Sequence, residues 1–272
     1  KTLSAIQSIS TIRKSRTKRK TEKADSRGAK LKNLEDSIAT LDAQQGKAVV
    51  ETVEGVQRIR GLAGSGKTIV LALKAAYLHA QHPEWRIAVT FNTRSLKGQF
   101  RRLINTFCLE QMGEEPDWEN LRIVNAWGAP GGEARDGLYY EFCSANEISY
   151  FDFRLAKGFG KGNEFAGACD NALASVKNPK QLYDAILVDE AQDFPPVFLR
   201  LCYELLKKDK RLVYAYDELQ SLSGESLPSP EEIFGNMKSG KPRVRFNFTS
   251  ELRAKKDILL KKCYRNSRPI LV

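Results

Sequence analysis

Gly61-Leu62-Ala63-Gly64-Ser65-Gly66-Lys67-Thr68 is the stretch that decides the fold. It fits G-x-x-x-x-G-K-[ST], and both flanks carry the context that the pattern requires. Val56-Gln57-Arg58-Ile59-Arg60 before it is a short β-capable segment, and Thr68 to Tyr77 after it is an apolar helix former without Gly or Pro. Strand, glycine turn and helix make a phosphate cradle. The glycines let backbone N–H groups turn inward, and the helix N-terminus adds partial positive charge. In such a cradle Gly61, Ala63, Gly64, Ser65 and Gly66 line the phosphates, Lys67 reaches the β- and γ-phosphates, and the Thr68 hydroxyl sits on Mg²⁺.

The 272 residues exceed the usual length of one domain, and 42% of them are hydrophobic, enough for a sizeable core. No apolar run approaches the ~20 residues of a membrane span, so no membrane partner is expected. The chain opens on Lys1 and stops within Pro269-Ile270-Leu271-Val272, and a piece of a longer protein is expected. The five cysteines lack C-x₂₋₄-C spacing, which argues against a zinc site or a disulfide framework. Buried thiols in a reducing cytoplasm are the expectation. His79 and His82 are the only histidines and read as surface residues at a helix end.

Net charge is +11, yet residues 1–32 hold eleven Lys/Arg against Glu22 and Asp25, a net of +9. Basicity therefore belongs to an arm. Arg13-Lys14-Ser15-Arg16-Thr17-Lys18-Arg19-Lys20 is too polar to bury anything. The arm reads equally as a phosphate-neutralising tail and as a solvated linker.

Residues 34–54 read as an amphipathic helix containing Leu41-Asp42-Ala43-Gln44-Gln45. Strands are expected at 85–92 and 121–125, with a helix at Ser95–Cys108 between them. From about Pro130 to Lys180 the β/α rhythm is lost, and a mainly helical insertion is expected. The glycine cluster at 158–162 follows no clear strand and reads as a loop. Ala185-Ile186-Leu187-Val188 then runs into Asp189-Glu190, as a buried parallel strand does when its chemistry sits at its C-terminal end. A helix through about Leu206 leads to a strand at 211–216, followed by Asp217. A further strand at Val244–Phe248 and a helix at Ser250–Lys262 complete the expectation, an α/β parallel sheet flanked by helices.

Asp189 is the natural metal carboxylate, because Mg²⁺ takes few carboxylates alongside phosphate oxygens. Glu190, one position on, could orient or deprotonate a water. The wide gap between Lys67 and Asp189 exceeds what a small nucleotide kinase needs and fits an ATP-driven motor with an accessory subdomain.

The order of these motifs resembles the UvrD/Rep-type superfamily 1 helicases. It comprises Gln45, the loop 61–68, Thr90-Phe91-Asn92, Asp189-Glu190-Ala191-Gln192-Asp193, Asp217 with Gln220, and Tyr264-Arg265-Asn266. The resemblance implies a RecA-like P-loop domain in two parts, 34–128 and 182–264, split by the insertion at 129–181. The arm 1–33 would precede it, and 265–272 would open a second RecA-like domain. It further implies ATP and Mg²⁺ as ligands, single-stranded DNA as partner with RNA left open, and 3′ to 5′ travel. A fused or associated nuclease domain is also compatible.

Position by position, the resemblance assigns Gln45 to the adenine edge, Phe91 to base stacking, and Thr90 and Asn92 to the DNA backbone. Gln192 and Gln220 would sense the γ-phosphate, and Arg265 would supply a cation to it. Trp127 stands in Asn125-Ala126-Trp127, where many relatives carry a Thr-x-His type segment next to DNA. Read from their neighbours alone, Phe91 could equally be core, Gln45 an exposed helix residue, and Arg265 part of a basic surface. One departure matters: Ser223 occupies the place where relatives carry an aromatic after the third motif. A regulatory nucleic-acid-binding ATPase that switches without unwinding is the alternative. As an isolated half of a two-domain site, the chain is expected to act weakly.

Overall fold

The structure is a computed structural model that describes residues 43–93, 95–217, 227–237, 239–246 and 255–263. A six-stranded sheet, every pair parallel, runs in the order β3-β2-β4-β5-β1-β6. Its strands are β1 (Val56–Gly61), β2 (Ile87–Phe91), β3 (Leu121–Asn125), β4 (Tyr183–Val188), β5 (Leu206–Tyr216) and β6 (Asp257–Leu260). The first helices are α1 (Ala43–Val50), α2 (Lys67–Gln81) and α3 (Ser95–Met112). Between β3 and β4 lie α4 (Leu138–Ala145), α5 (Phe153–Ala156) and α6 (Glu164–Ala174), and later come α7 (Pro196–Leu205) and α8 (Pro230–Phe234).

Alternation along the strands divides the interior into two cores. Ile87, Val89, Phe91, Ala185, Leu187, Val213 and Ala215 join the side chains of α1, α2 and α3. Ala88, Ile186, Val188, Leu212 and Tyr214 join those of α4, α6, α7 and α8 on the opposite face. With both faces covered, a parallel sheet reads as near-continuous apolar runs, and β2 is buried along its whole length.

The helical segment between β3 and β4 is tied to the sheet by polar bonds as well as packing. Arg122 on β3 donates from Nη1 to Glu141 Oε1 of α4 and to the Tyr183 hydroxyl of β4, both at 2.7 Å. Trp127 packs against Tyr139 and Phe165.

Several local expectations are revised. Within the described part of 34–54, only Ala43–Val50 is helical. Val244 to Phe246 carry no regular structure, and 247–250 lie outside the described residues. Where a helix is expected over Ser250–Lys262, Asp257–Leu260 is strand β6, paired in parallel with β1. Burial of Ile258 and Leu260 in the first core, and bonds from Arg58 and Arg60 to the Asp257 carboxylate at 2.7 Å, favour the strand. His79 is buried, not at the surface, and its Nε2 accepts from the Asp117 backbone N–H at 3.1 Å. Four cysteines are buried and Cys263 is half-buried. Among the described residues no helix is long and apolar enough to cross a membrane.

Candidate functional site

Loop 61–68 leaves β1 at its C-terminal end and enters α2. Gly64 and Gly66 have φ of 81° and 86°, the left-handed region that favours glycine. Gly61 is needed for room, since a Cβ there would lie 2.5 Å from Ser65 Oγ and 3.0 Å from Leu260 Cβ. β5 lies between β1 and β4, so the loop and the acid pair face each other across one strand end. The crevice outside the carboxyl ends of such strands is where open α/β sheets take ligands.

Six side chains meet there. Thr68 Oγ1 donates to Asp189 Oδ2 at 2.7 Å across 121 residues of chain. Lys67 Nζ donates to the carbonyls of Gly61 at 2.8 Å and Leu62 at 3.2 Å, and stands 3.8 Å from Asp217 Oδ2. Gln192 joins the ends of two strands, donating to Glu190 Oε2 at 2.7 Å and accepting from the Asp217 backbone N–H at 3.0 Å. Glu190 adopts φ 49°, ψ 50°, a left-handed conformation that a side chain rarely takes. Such a position costs of order 1–3 kcal/mol and clusters at functional sites.

Asp189 is 0% exposed, and its Oδ1 has no hydrogen-bond partner among the described residues. Burial pushes its carboxyl up to about 7, against the opposing bond from Thr68, and the neighbouring Glu190 charge adds to the rise. A buried carboxylate oxygen without a donor, 2.7 Å from a hydroxyl through its other oxygen, fits a divalent cation that brings its own waters. Thr68 and Asp189 would hold that cation. Two protein oxygens leave most of its coordination to phosphate and water, as Mg²⁺ prefers.

Gln45 on α1 reaches the loop from the other side, with Nε2 donating to the Ser65 carbonyl at 2.9 Å. The contact is close enough that a Cβ on Gly66 would meet Gln45 Nε2 at 2.7 Å. Asp217 stands within a sequence motif without an assigned role, and Cys263 only as one of the five cysteines. Asp217 pairs with Lys67, and its signal is an acid straight after an apolar strand, as at Asp189. Cys263, whose thiol donates to the Ala63 carbonyl at 3.0 Å, has no signal in the sequence.

The residues assigned to DNA divide differently. Phe91 is 1% exposed and stacked on Phe100 in the first core, and Thr90 is fully buried. The apolar strand continues through both of them, and the Phe91 ring packs in the interior. Asn92 is exposed, and its Nδ2 donates to the Asp193 carbonyl at 3.4 Å. Trp127 is half-buried, donating from Nε1 to the Phe151 carbonyl at 3.0 Å. Gln220 and Arg265 lie outside the described residues.

No family model matches the chain, and no curated protein matches it.

Proposed function

We propose that this chain is the ATP-binding and hydrolysing half of a DNA helicase or translocase acting on single-stranded DNA, built on a RecA-like P-loop domain with a helical insertion. One observation carries the nucleotide assignment: Lys67, Thr68, Asp189, Glu190, Gln192 and Asp217 converge at one strand-end rim from three separate stretches of chain. Lys67 exchanges its loop carbonyls and Asp217 for phosphate oxygens. Backbone N–H groups of 63–68 hold the same phosphates. Thr68 and Asp189 would hold Mg²⁺, which would neutralise charge on the β- and γ-phosphates. Glu190 orients the attacking water and takes its proton as the bond from the γ-phosphorus to the bridging oxygen breaks. Gln192, already bonded to Glu190, would carry the state of the γ-phosphate towards the end of β5.

The test is ATP hydrolysis with and without single-stranded DNA, by the full-length protein. Glu190→Gln is expected to keep ATP binding and lose hydrolysis by roughly 10²–10⁴-fold, the usual worth of a positioned acid–base group. An unaltered rate would remove Glu190 from the chemistry.

A second proposal, a nucleic-acid-responsive ATPase switch that does not unwind, is favoured by the burial of Thr90 and Phe91. Strand displacement separates the two: a motor releases the shorter strand of a tailed duplex in an ATP-dependent way, and a switch hydrolyses ATP without releasing it.

A further inference from the structure

Lys74 is 0% exposed in the interior of α2, seven residues after Lys67. Positions i and i+7 share a face of a helix, so one face carries the loop lysine at its start and a second lysine two turns on. The Lys74 ammonium reaches the C-terminal end of α1. Its Nζ donates to the carbonyls of Ala48 at 3.0 Å, Val49 at 3.4 Å and Glu51 at 2.6 Å.

These carbonyls belong to the group that a helix terminus leaves without intrahelical partners. The neighbouring ones are met locally: Lys47 O accepts from Glu51 N at 2.9 Å, and Val50 O from Thr52 Oγ1 at 3.5 Å. Burial pushes the Lys74 ammonium down to about 7, against the opposing charge of Glu51, and its charged form suits the negative end of the helix dipole. An eight-residue helix is marginal without tertiary support. Lys74 gives α1 a fixed joint to the same helix that begins at the phosphate loop, and Gln45 stands on α1 one turn before that joint.

We propose that Lys74 is a positioning residue for base recognition: by clamping the C-terminal carbonyls of α1 onto α2, it sets the height of Gln45 above the phosphate loop. This rests on the nucleotide assignment made above and on the adenine role that the resemblance gives Gln45. An apolar side chain at 74 would fill the space and leave the carbonyls of Ala48 and Val49 without this donor, at about 1–3 kcal/mol for each such group, while the Glu51 carbonyl keeps its bond from Gln57 Nε2 at 3.0 Å. Lysine at this buried position is explained by the joint and not by packing.

The experiment is calorimetric titration of the full chain with MgATP and, separately, with magnesium and inorganic triphosphate, which has the phosphates and no base. The wild type is expected to bind both, ATP more tightly. Lys74→Met is expected to lose about tenfold in ATP affinity, the worth of one or two hydrogen bonds, and to keep its affinity for triphosphate. Gln45→Ala should give the same pattern, and adding Lys74→Met to it should cost nothing further.

Lys74→Gln retains two N–H donors and is the substitute where the methionine variant folds poorly. Its expected loss is about threefold, again for ATP alone. Equal losses for ATP and triphosphate, or an undiminished preference for ATP in both variants, would overturn the positioning role and leave the nucleotide assignment standing. A wild type that binds neither ligand would remove both.

Discussion

At the scale of single residues, the rim concentrates groups that the fold holds in costly states. Asp189 is buried with one oxygen unmatched, and Glu190 takes a left-handed backbone beside it. The titration of Asp189 gives a direct readout. Its carboxyl titrates at about 7 in the fold against 3.8 in an open chain. Between those values the native state holds more protons than the unfolded state, so native stability falls as pH rises from about 4 to about 7. Thermal unfolding of the ligand-free protein over that range should show this slope, and Asp189→Asn should flatten it. Gly61→Ala brings a methyl group to 2.5 Å from Ser65 Oγ. It is expected to weaken binding of MgATP by about 1–3 kcal/mol, the usual effect of overpacking, as read by the same titration. Circular dichroism should show the sheet retained.

At the scale of elements, strand β6 is the informative one. Asp257 is held between Arg58 and Arg60 of β1 and is almost fully buried. Burial pushes its carboxyl up, but the bonds and charges of the two guanidinium groups outweigh this and hold it below the usual range. Asp257→Ala leaves both arginines without that partner and loosens one neighbour of β1. A loss of about 3 kcal/mol in urea denaturation is expected, the low end for a broken buried pair, because the arginines remain 20% and 22% exposed. The same element marks where sequence reading stops. β4 and β5 were legible because four or more apolar residues run into an acid, and β1 because the loop motif demands a strand before it. Asp257-Ile258-Leu259-Leu260 is too short and too uniformly apolar for periodicity to separate strand from helix. Its pairing with a strand 199 residues earlier decides the matter. Phe91 was ambiguous for a related reason: an apolar strand does not announce which residue is the last to be buried.

At the scale of the whole molecule, the sheet order brings three distant stretches to one rim, and this assembly underlies the expected loss of hydrolysis in Glu190→Gln. The loop and the acid pair were legible because their chemistry is local in sequence. The joint made by Lys74 and the contact from Cys263 were not, because both are products of packing between elements. The order β4-β5-β1-β6 also bears on how the protein is made. β1 precedes both of its neighbours in the chain, and the strands on its two sides follow roughly 150 and 200 residues later. At roughly 5–20 residues per second a ribosome takes about 10–40 s to reach the second of them. Until β5 is made the nascent strand has both edges unsatisfied, and until β6 is made it keeps one open, so a chain cut before Asp257 is expected to be more prone to edge-to-edge aggregation.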